Sequence, residues 1–225
     1  MDRNIIVTGA AGNLGTAVVE KFKREGYKVI ATVLPGLEET VDSADDVYQV
    51  DVGNEDSVKD FASEFISQYG ELDTMALLVG GFAMGKIEET SQKDIEKLVS
   101  LNFFSAYHMV RFFLPMMKKS NSGTILLVGA RPALDPAAGK SMVAYALSKQ
   151  LVFQLASMIE EETKNSKIRV HVFVPSTIDT VANRKAMPNA DFSKWVLPSE
   201  IAETMHFAVN NPALRKMEFK LYGGA

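Results

Sequence analysis

The sequence predicts an α/β fold: a doubly wound parallel sheet of about seven strands flanked by helices. Three observations predict it. Short runs of β-branched and aliphatic residues alternate with longer segments of helical period, the pattern of strands joined by crossover helices. A glycine-rich turn, Thr8-Gly9-Ala10-Ala11-Gly12-Asn13-Leu14-Gly15, separates the first such run from the first helical segment. The chain has 225 residues, 47% of them hydrophobic, enough for one sheet with a sizeable core. No composition shift, repeat or low-complexity tract divides it, so residues 1–225 are expected to form a single domain.

Taken in order, strands are expected at Asn4–Thr8, Lys28–Val33, Val47–Asp51, Thr74–Val79, Thr124–Val128, Arg169–Val174 and Glu218–Leu221. Helices are expected at Leu14–Glu25, Glu55–Gln68, Gln92–Lys118, Met142–Thr163 and Ser199–Val209. Pro35-Gly36 marks a turn in the linker from Leu34 to Asp46 and argues against a full helix there. Asn54 before Glu55 reads as a helix cap. The longest stretch without clear period, Ser176 to Leu197, follows the carboxyl end of a predicted strand, where ligands bind in parallel sheets and where long loops are often lids.

Composition excludes several function classes. A formal net charge of −4 leaves no basic footprint for nucleic acid, and no basic amphipathic stretch marks a lipid surface. No run approaches the roughly 18 apolar residues of a membrane span, and Met1-Asp2-Arg3-Asn4 has no signal-peptide character. A soluble cytoplasmic protein, with neither nucleic acid nor membrane as partner, is expected. The absence of Cys excludes a thiolate nucleophile, a disulfide scaffold and a Cys-ligated metal. His108, His171 and His206 are scattered, with no carboxylates at ligand spacing, so no metal site is expected. Met84, Met109, Met116 and Met117 read as core or interface filler, and Glu160-Glu161-Glu162 as a solvated helix end.

Two motifs carry chemistry. In the glycine turn, Gly9 permits a tight bend, Gly12 close approach of backbone to a pyrophosphate, and Gly15 close packing of helix on strand. The helix that follows offers free N–H groups and a partial positive charge to phosphates. In Tyr145-Ala146-Leu147-Ser148-Lys149, four residues make about one helical turn, so phenol and ammonium project from one face. A phenol with a pKa of about 10 is a poor acid at neutral pH, and a neighbouring ammonium brings it closer to working range. Each motif alone also fits a plainer reading, an ordinary strand–helix turn or a solvated Tyr and Lys; together, in strand–turn–helix context, they point to a dinucleotide enzyme.

The spacing T-G-x-x-x-G-x-G with Y-x-x-x-K resembles the short-chain dehydrogenase/reductase family. The resemblance implies a Rossmann-type fold, NAD or NADP as cofactor, and hydride transfer with Tyr145 as proton donor and Lys149 lowering its pKa. It also implies that Asn102, in the helix before, anchors a water in the proton relay. In the glycine turn it assigns Ala11, Asn13 and Leu14 to the cofactor beside Gly9, Gly12 and Gly15. Further along it assigns Asp51 and Val52 to the adenine, Gly80 and Gly81 to the ribose and nicotinamide side, and Pro175 and Thr177 to the nicotinamide end, with Tyr145 and Lys149 also holding the cofactor. Three positions depart from the family. Val79-Gly80-Gly81 stands where Asn-Asn-Ala-Gly is usual, and Val33 where an NAD-preferring member carries an acid. Ala130 (by strand alignment) or Pro132 (counting back from Tyr145) stands where the family has Ser. Neither Ala11 nor Leu34 supplies the basic residue that would favour NADP, so the choice between cofactors stays open.

The missing Ser points to one branch of the family, the quinonoid dihydropteridine reductases. Gly129-Ala130-Arg131-Pro132-Ala133-Leu134-Asp135 and the run from Pro175 to Trp195 resemble that branch, and Gly80-Gly81-Phe82-Ala83 is similar to its Gly-Gly-Trp-Ala. This implies a pterin-like substrate met by Phe82, Ala130, Thr180 and Arg184, with Phe82 equally readable as a packed loop residue. Alternative functions are a general carbonyl reductase on an unidentified ketone and a low-turnover dinucleotide-binding regulator. The surplus of apolar residues on the helices carrying Phe103 to Phe113 and Leu151 to Met158, which pair across a two-fold in this family, implies a homodimer or homotetramer.

Overall fold

The computed structural model describes residues 3–37 and 40–224; Met1, Asp2, Glu38, Glu39 and Ala225 lie outside the described residues. Seven strands form one parallel sheet: β1 (Asn4–Thr8), β2 (Lys28–Val33), β3 (Asp46–Gln49), β4 (Thr74–Leu77), β5 (Ser122–Val128), β6 (Lys167–Pro175) and β7 (Lys216–Leu221). Between them run α1 (Asn13–Arg24), α2 (Glu55–Tyr69), α3 (Gln92–Val99), α4 (Ser105–Ser120), the short α5 (Arg131–Leu134) and α6 (Pro136–Gly139), α7 (Val143–Thr163), α8 (Val181–Ala186) and α9 (Pro198–Val209). This is the expected Rossmann-type doubly wound sheet.

The strand order is β3-β2-β1-β4-β5-β6-β7. Winding therefore reverses between β1 and β4, and the carboxyl ends of these two strands open the crevice in which such sheets bind ligands. The central strands are apolar on both faces because helices cover both. One core packs Phe61 and Phe65 of α2, Phe113 and Met117 of α4 and Val152 and Ile159 of α7 against the sheet. The other packs Val18 and Phe22 of α1 with Ile201 and Met205 of α9. The Asn54 side chain accepts from Ser57 N at 3.1 Å and caps α2.

Three expectations need correction, and one segment carries helices for which the sequence offers no expectation. The helix expected over Gln92–Lys118 is interrupted by a π-helical turn at Ser100–Phe104, which inserts one residue and swings Asn102 inward. β3 ends at Gln49, so Asp51 lies just past the strand. The aperiodic stretch after β6 contains α8 and a 3-10 turn at Phe192–Lys194. The segment Arg131–Gly139 coils into two one-turn helices, each with Pro in its first turn. No helix appears among the described residues between Leu34 and Asp46, as Pro35-Gly36 foretells. Among the described residues no helix is long and apolar enough to cross a membrane, and no His, Cys, Asp or Glu cluster could hold a metal.

Candidate active site

At the end of β1 the chain turns through Gly9, whose φ of 62° favours glycine. Gly12 N donates to Gly9 O at 3.0 Å, which closes the turn. A Cβ on Gly15 would fall on the Gly9 carbonyl and the Ala10 backbone, so only glycine lets α1 sit this close to the loop. Gly12, in extended conformation, heads α1 with no side-chain cap, and the first turn holds no acid. Its N–H groups and the positive end of its dipole thus remain available to an anion.

A cleft of about 570 Å³ lies in front of this turn. Gly9, Ala11 and Gly12 line it on one side; Val33, Leu34 and Leu37 from the end of β2, and Asp51 and Val52 past β3, line the other. Val79 and Gly80 close it from β4. Asn13 is exposed in the first turn of α1 and Leu14 is half-buried against the core; neither lines the cleft. Asp51 is the one charged lining residue among those described, and its Oδ1 accepts from Gly53 N at 2.9 Å. Val33 is buried, whereas Leu34 is 50% exposed. Leu37 belongs to an aperiodic linker, where no periodic signal in the sequence could single it out. A dinucleotide fits these residues: backbone donors for the pyrophosphate, a turn held tight because Gly9 and Gly15 pack against Val79 and the turn backbone with no room for a Cβ, and an apolar slot ending in a carboxylate for the adenosine.

The catalytic candidates gather at the neighbouring strand ends. Tyr145 and Lys149 sit one turn apart at the start of α7. Tyr145 is half-buried, and the exposed ring of Phe82 meets it edge-on, with centroids 5.1 Å apart and planes at 74°. Lys149 is buried, and its Nζ donates to the Val128 carbonyl at 2.8 Å. Burial pushes the Tyr145 phenol up to about 12 and the Lys149 ammonium down to about 8. Lys149 therefore does not lower the phenol in this arrangement: the ammonium is turned to a carbonyl, and loss of water dominates both groups.

Asn102 is buried where the π-helical turn aims it at the end of β4. Its Oδ1 accepts from Gly81 N at 2.8 Å, and its Nδ2 donates to Gly81 O at 3.0 Å and to Ser148 Oγ at 2.9 Å. Ser148 Oγ in turn donates to the Tyr145 carbonyl at 2.8 Å. This accounts for the glycines that replace the family's usual residues. A Cβ on Gly80 would lie 2.6 Å from Asn102 Oδ1 and 3.3 Å from Lys149 Nζ, and one on Gly81 would lie 2.9 Å from Leu101 Cδ1. Ser148, a further member of this network, gave no signal beyond being the residue before Lys149. Ala130 is buried in extended backbone and brings no hydroxyl to the site.

The remaining candidates lie beyond β6. Pro175 ends that strand, and the Thr177 carbonyl accepts from Val196 N at 3.0 Å. Thr180 caps α8, accepting from Asn183 N at 3.1 Å. Arg184 forks onto Asp179 through Nε and Nη2, at 2.6 and 2.7 Å, with its guanidinium 4.7 Å from the Phe192 ring centroid. The fork raises the Arg184 pKa and holds the Asp179 carboxyl below its ordinary range. In this geometry Thr180 and Arg184 are engaged within their own loop. Together with Asp179, Phe192 and Trp195, Arg184 lines a second cleft of about 330 Å³.

The family model described as short chain dehydrogenase matches residues 3–191. This chain belongs to the short-chain dehydrogenase family. It is accordingly an oxidoreductase that uses NAD or NADP. It is similar to the dihydropteridine reductase of Dictyostelium discoideum, at 26% identity over 211 residues, 91% of this chain and 87% of that protein. Among solved structures, ElxO with NADP bound shares the fold at a TM-score of 0.89 and 20% identity, covering 100% of this chain and 98% of that one. The ligand-free aldohexose dehydrogenase of Thermoplasma acidophilum superposes at a TM-score of 0.83 and 26% identity, covering 99% of this chain and 93% of that one.

Proposed function

We propose that this oxidoreductase works as a reductase on a quinonoid dihydropterin-like substrate, with Tyr145 as the proton donor. The observation that carries the reading is the cluster of Tyr145, Lys149 and Asn102 beside Gly80, at the mouth of the dinucleotide cleft. When bound, the reduced nicotinamide supplies a hydride. Tyr145 gives the matching proton from its Oη, so that substrate gains two electrons and two hydrogens. Lys149, its ammonium pushed down to about 8 by burial, would offer its remaining N–H donors to the ribose hydroxyls of the bound cofactor. Asn102 keeps the β4 exit and the first turn of α7 in register through Gly81 and Ser148.

Three features support a pterin over a simple ketone. Ala130 leaves the site without the hydroxyl that polarises a carbonyl, and a quinonoid ring needs less polarisation. Phe82 presents an exposed aromatic face beside Tyr145, suited to stacking on a planar ring. The loop Ser176–Trp195 stands at the carboxyl end of β6 and reads as a lid over that position. The exposed side chains Phe104, Tyr107, Leu147, Leu151 and Met158 on the π-helical turn, α4 and α7 form a face suited to a second copy of this chain, hence a homodimer or homotetramer. A chain without Cys, net charge −4, suits the cytoplasm.

A turnover screen with NADH and NADPH against quinonoid dihydropterin and a panel of ketones tests the reading. The expected result is turnover of the dihydropterin. Turnover of ketones alone would replace the substrate, and tight cofactor binding with no turnover would favour a regulator.

A further inference from the structure

The lid is a loop closed at its neck. Ile178 pairs with Val196, the Val196 amide donates to Thr177 O at 3.0 Å, and the Asp179 amide donates to Val196 O at 2.8 Å. Everything from Asp179 to Trp195 hangs from that neck. The short segment that leaves β7, Tyr222-Gly223-Gly224, lies against both sides of it. On the incoming side, Ser176 N donates to Leu221 O at 2.8 Å and Ser176 Oγ to Tyr222 O at 3.0 Å. On the outgoing side, Gly224 N donates to Lys194 O at 3.3 Å. Gly223 has a φ of 58°, and a Cβ there would fall on the Lys194 carbonyl, so that two constraints require glycine at one position.

The same segment reaches the catalytic helix. The Arg131 guanidinium lies 5.1 Å from the Tyr222 ring centroid, the range of a cation–π contact. Arg131 opens the turn that follows Ala130, and the Pro132 carbonyl next to it packs on Gly139, where a Cβ would meet it at 2.7 Å and Ala146 Cβ at 3.3 Å. Ala146 adjoins Tyr145. A packed path thus runs from the lid neck through Tyr222 and Arg131 to the turn of α7 that carries the proton donor.

We propose that Tyr222-Gly223-Gly224 is a clasp that fixes the lid neck to the β5 exit, making Tyr222 and Gly223 positioning residues for substrate. This rests on the lid reading above for its functional half only. The clasp itself is a statement about the ligand-free protein. It leaves α8 as the part of the lid free to move over substrate, while the neck and the Lys194 end of the 3-10 turn stay put.

Hydrogen exchange on the full ligand-free chain tests it. Gly223→Ala should speed exchange of the Asp179 and Val196 amides at least tenfold, with amides of β1 to β3 unchanged. Gly70→Ala is the control, since Gly70 has a φ of 77° and no atom within 4 Å of an added Cβ. It carries the same backbone strain without a neighbour and should leave the neck as in wild type. Tyr222→Leu should also loosen the neck, and Tyr222→Phe, which keeps the ring under Arg131, should not. Neck exchange in Gly223→Ala and Tyr222→Leu equal to wild type would overturn the clasp. With quinonoid dihydropterin as probe, both loosening variants should raise its KM several-fold with NADPH affinity unchanged. A faster neck with an unchanged KM would overturn the substrate role and leave the clasp standing.

Discussion

The cofactor side and the substrate side of this sheet are built in different ways. Around β1 to β4 the site is made by absent side chains. Gly9, Gly12 and Gly15 let backbone and helix end come close enough to cradle a pyrophosphate, and α1 leaves its first N–H groups unpaired. From the exit of β4 across to β7 the site is made by side-chain hydrogen bonds and ion pairs, from Asn102 to Gly81 and Ser148, from Lys149 to Val128, and, within the loop after β6, from Arg184 to Asp179. One half tolerates almost no added atom; the other depends on atoms that must be present. Cofactor binding should therefore survive changes on the substrate side that stop chemistry, and the reverse should not hold.

The largest expected effect breaks the two halves apart. Tyr145→Phe removes the proton donor and leaves the ring against Phe82, so turnover should fall about 10²- to 10⁴-fold. NADPH affinity, titrated by nicotinamide fluorescence, should stay within a few-fold. Activity close to wild type would remove Tyr145 from the reaction. A matching loss of cofactor binding would show that the halves are not separable.

Acid should loosen the substrate half first. His171 lies fully buried in β6, with neither ring nitrogen hydrogen-bonded, and burial holds its pKa down at about 4, with Arg169 adding to the effect. The folded protein thus keeps the imidazole neutral, while the unfolded chain takes up a proton below its ordinary value of about 6.5. Stability from this group is full above that value and is lost as pH falls toward 4, by roughly 3 kcal/mol. His171→Leu should flatten denaturation midpoints between pH 6.5 and 4. In wild type, exchange near the lower end should quicken in β6 and β7 before β1 to β3. A pH profile unaltered by the substitution would show that other groups set the acid limit.

How much of this is legible in the sequence follows the same division. The strand–turn–helix at Thr8–Gly15 and the Y-x-x-x-K helix are local, and their boundaries, read from residue pattern alone, fall within a residue or so of the observed ones. The strands are readable because they are short apolar runs bounded by turns. Three features escape, the first two because their causes are far apart in the chain and the third because a side-chain ion pair within one loop leaves no periodic signal. The π-helical turn at Ser100–Phe104 has no local signature; it exists to meet Gly81, about twenty residues earlier. Lys149 faces Val128 because of packing at the β5 exit, so a spacing argument that pairs it with Tyr145 misjudges which group feels the charge. Arg184 reads as a free polar contact until Asp179 is seen to hold it.

Gly80→Ala tests the place where the two halves touch. Gly80 lines the cofactor cleft and also borders Asn102 and Lys149. An added methyl must displace Asn102 Oδ1, at an overpacking cost of about 1–3 kcal/mol. Turnover should fall by about tenfold or more, with a smaller loss of NADPH affinity. Equal losses in both would make Gly80 purely a cofactor residue. No loss in either would mean that Asn102 has room to move.

The smallest expected effect concerns which dinucleotide is preferred. The slot that would take the adenosine ribose is lined by Val33, Leu34 and Leu37, with neither an acid for a 2′-hydroxyl nor a base for a 2′-phosphate among the described lining residues. A carboxylate at this strand end accepts from a ribose 2′-hydroxyl and repels a 2′-phosphate. Val33→Asp should therefore raise the ratio of kcat/KM for NADH to that for NADPH, by about tenfold if one exposed charge–hydroxyl contact is gained. Leu34→Asp sharpens the test, because Leu34 is the more exposed of the two and Val33 is buried in the second core. If Leu34→Asp shifts the ratio and Val33→Asp only destabilises the fold, the selecting position lies one residue past the strand, on the loop. An unchanged ratio in both would mean that the ribose is held from elsewhere, with Asp51 across the cleft as the remaining charged contact.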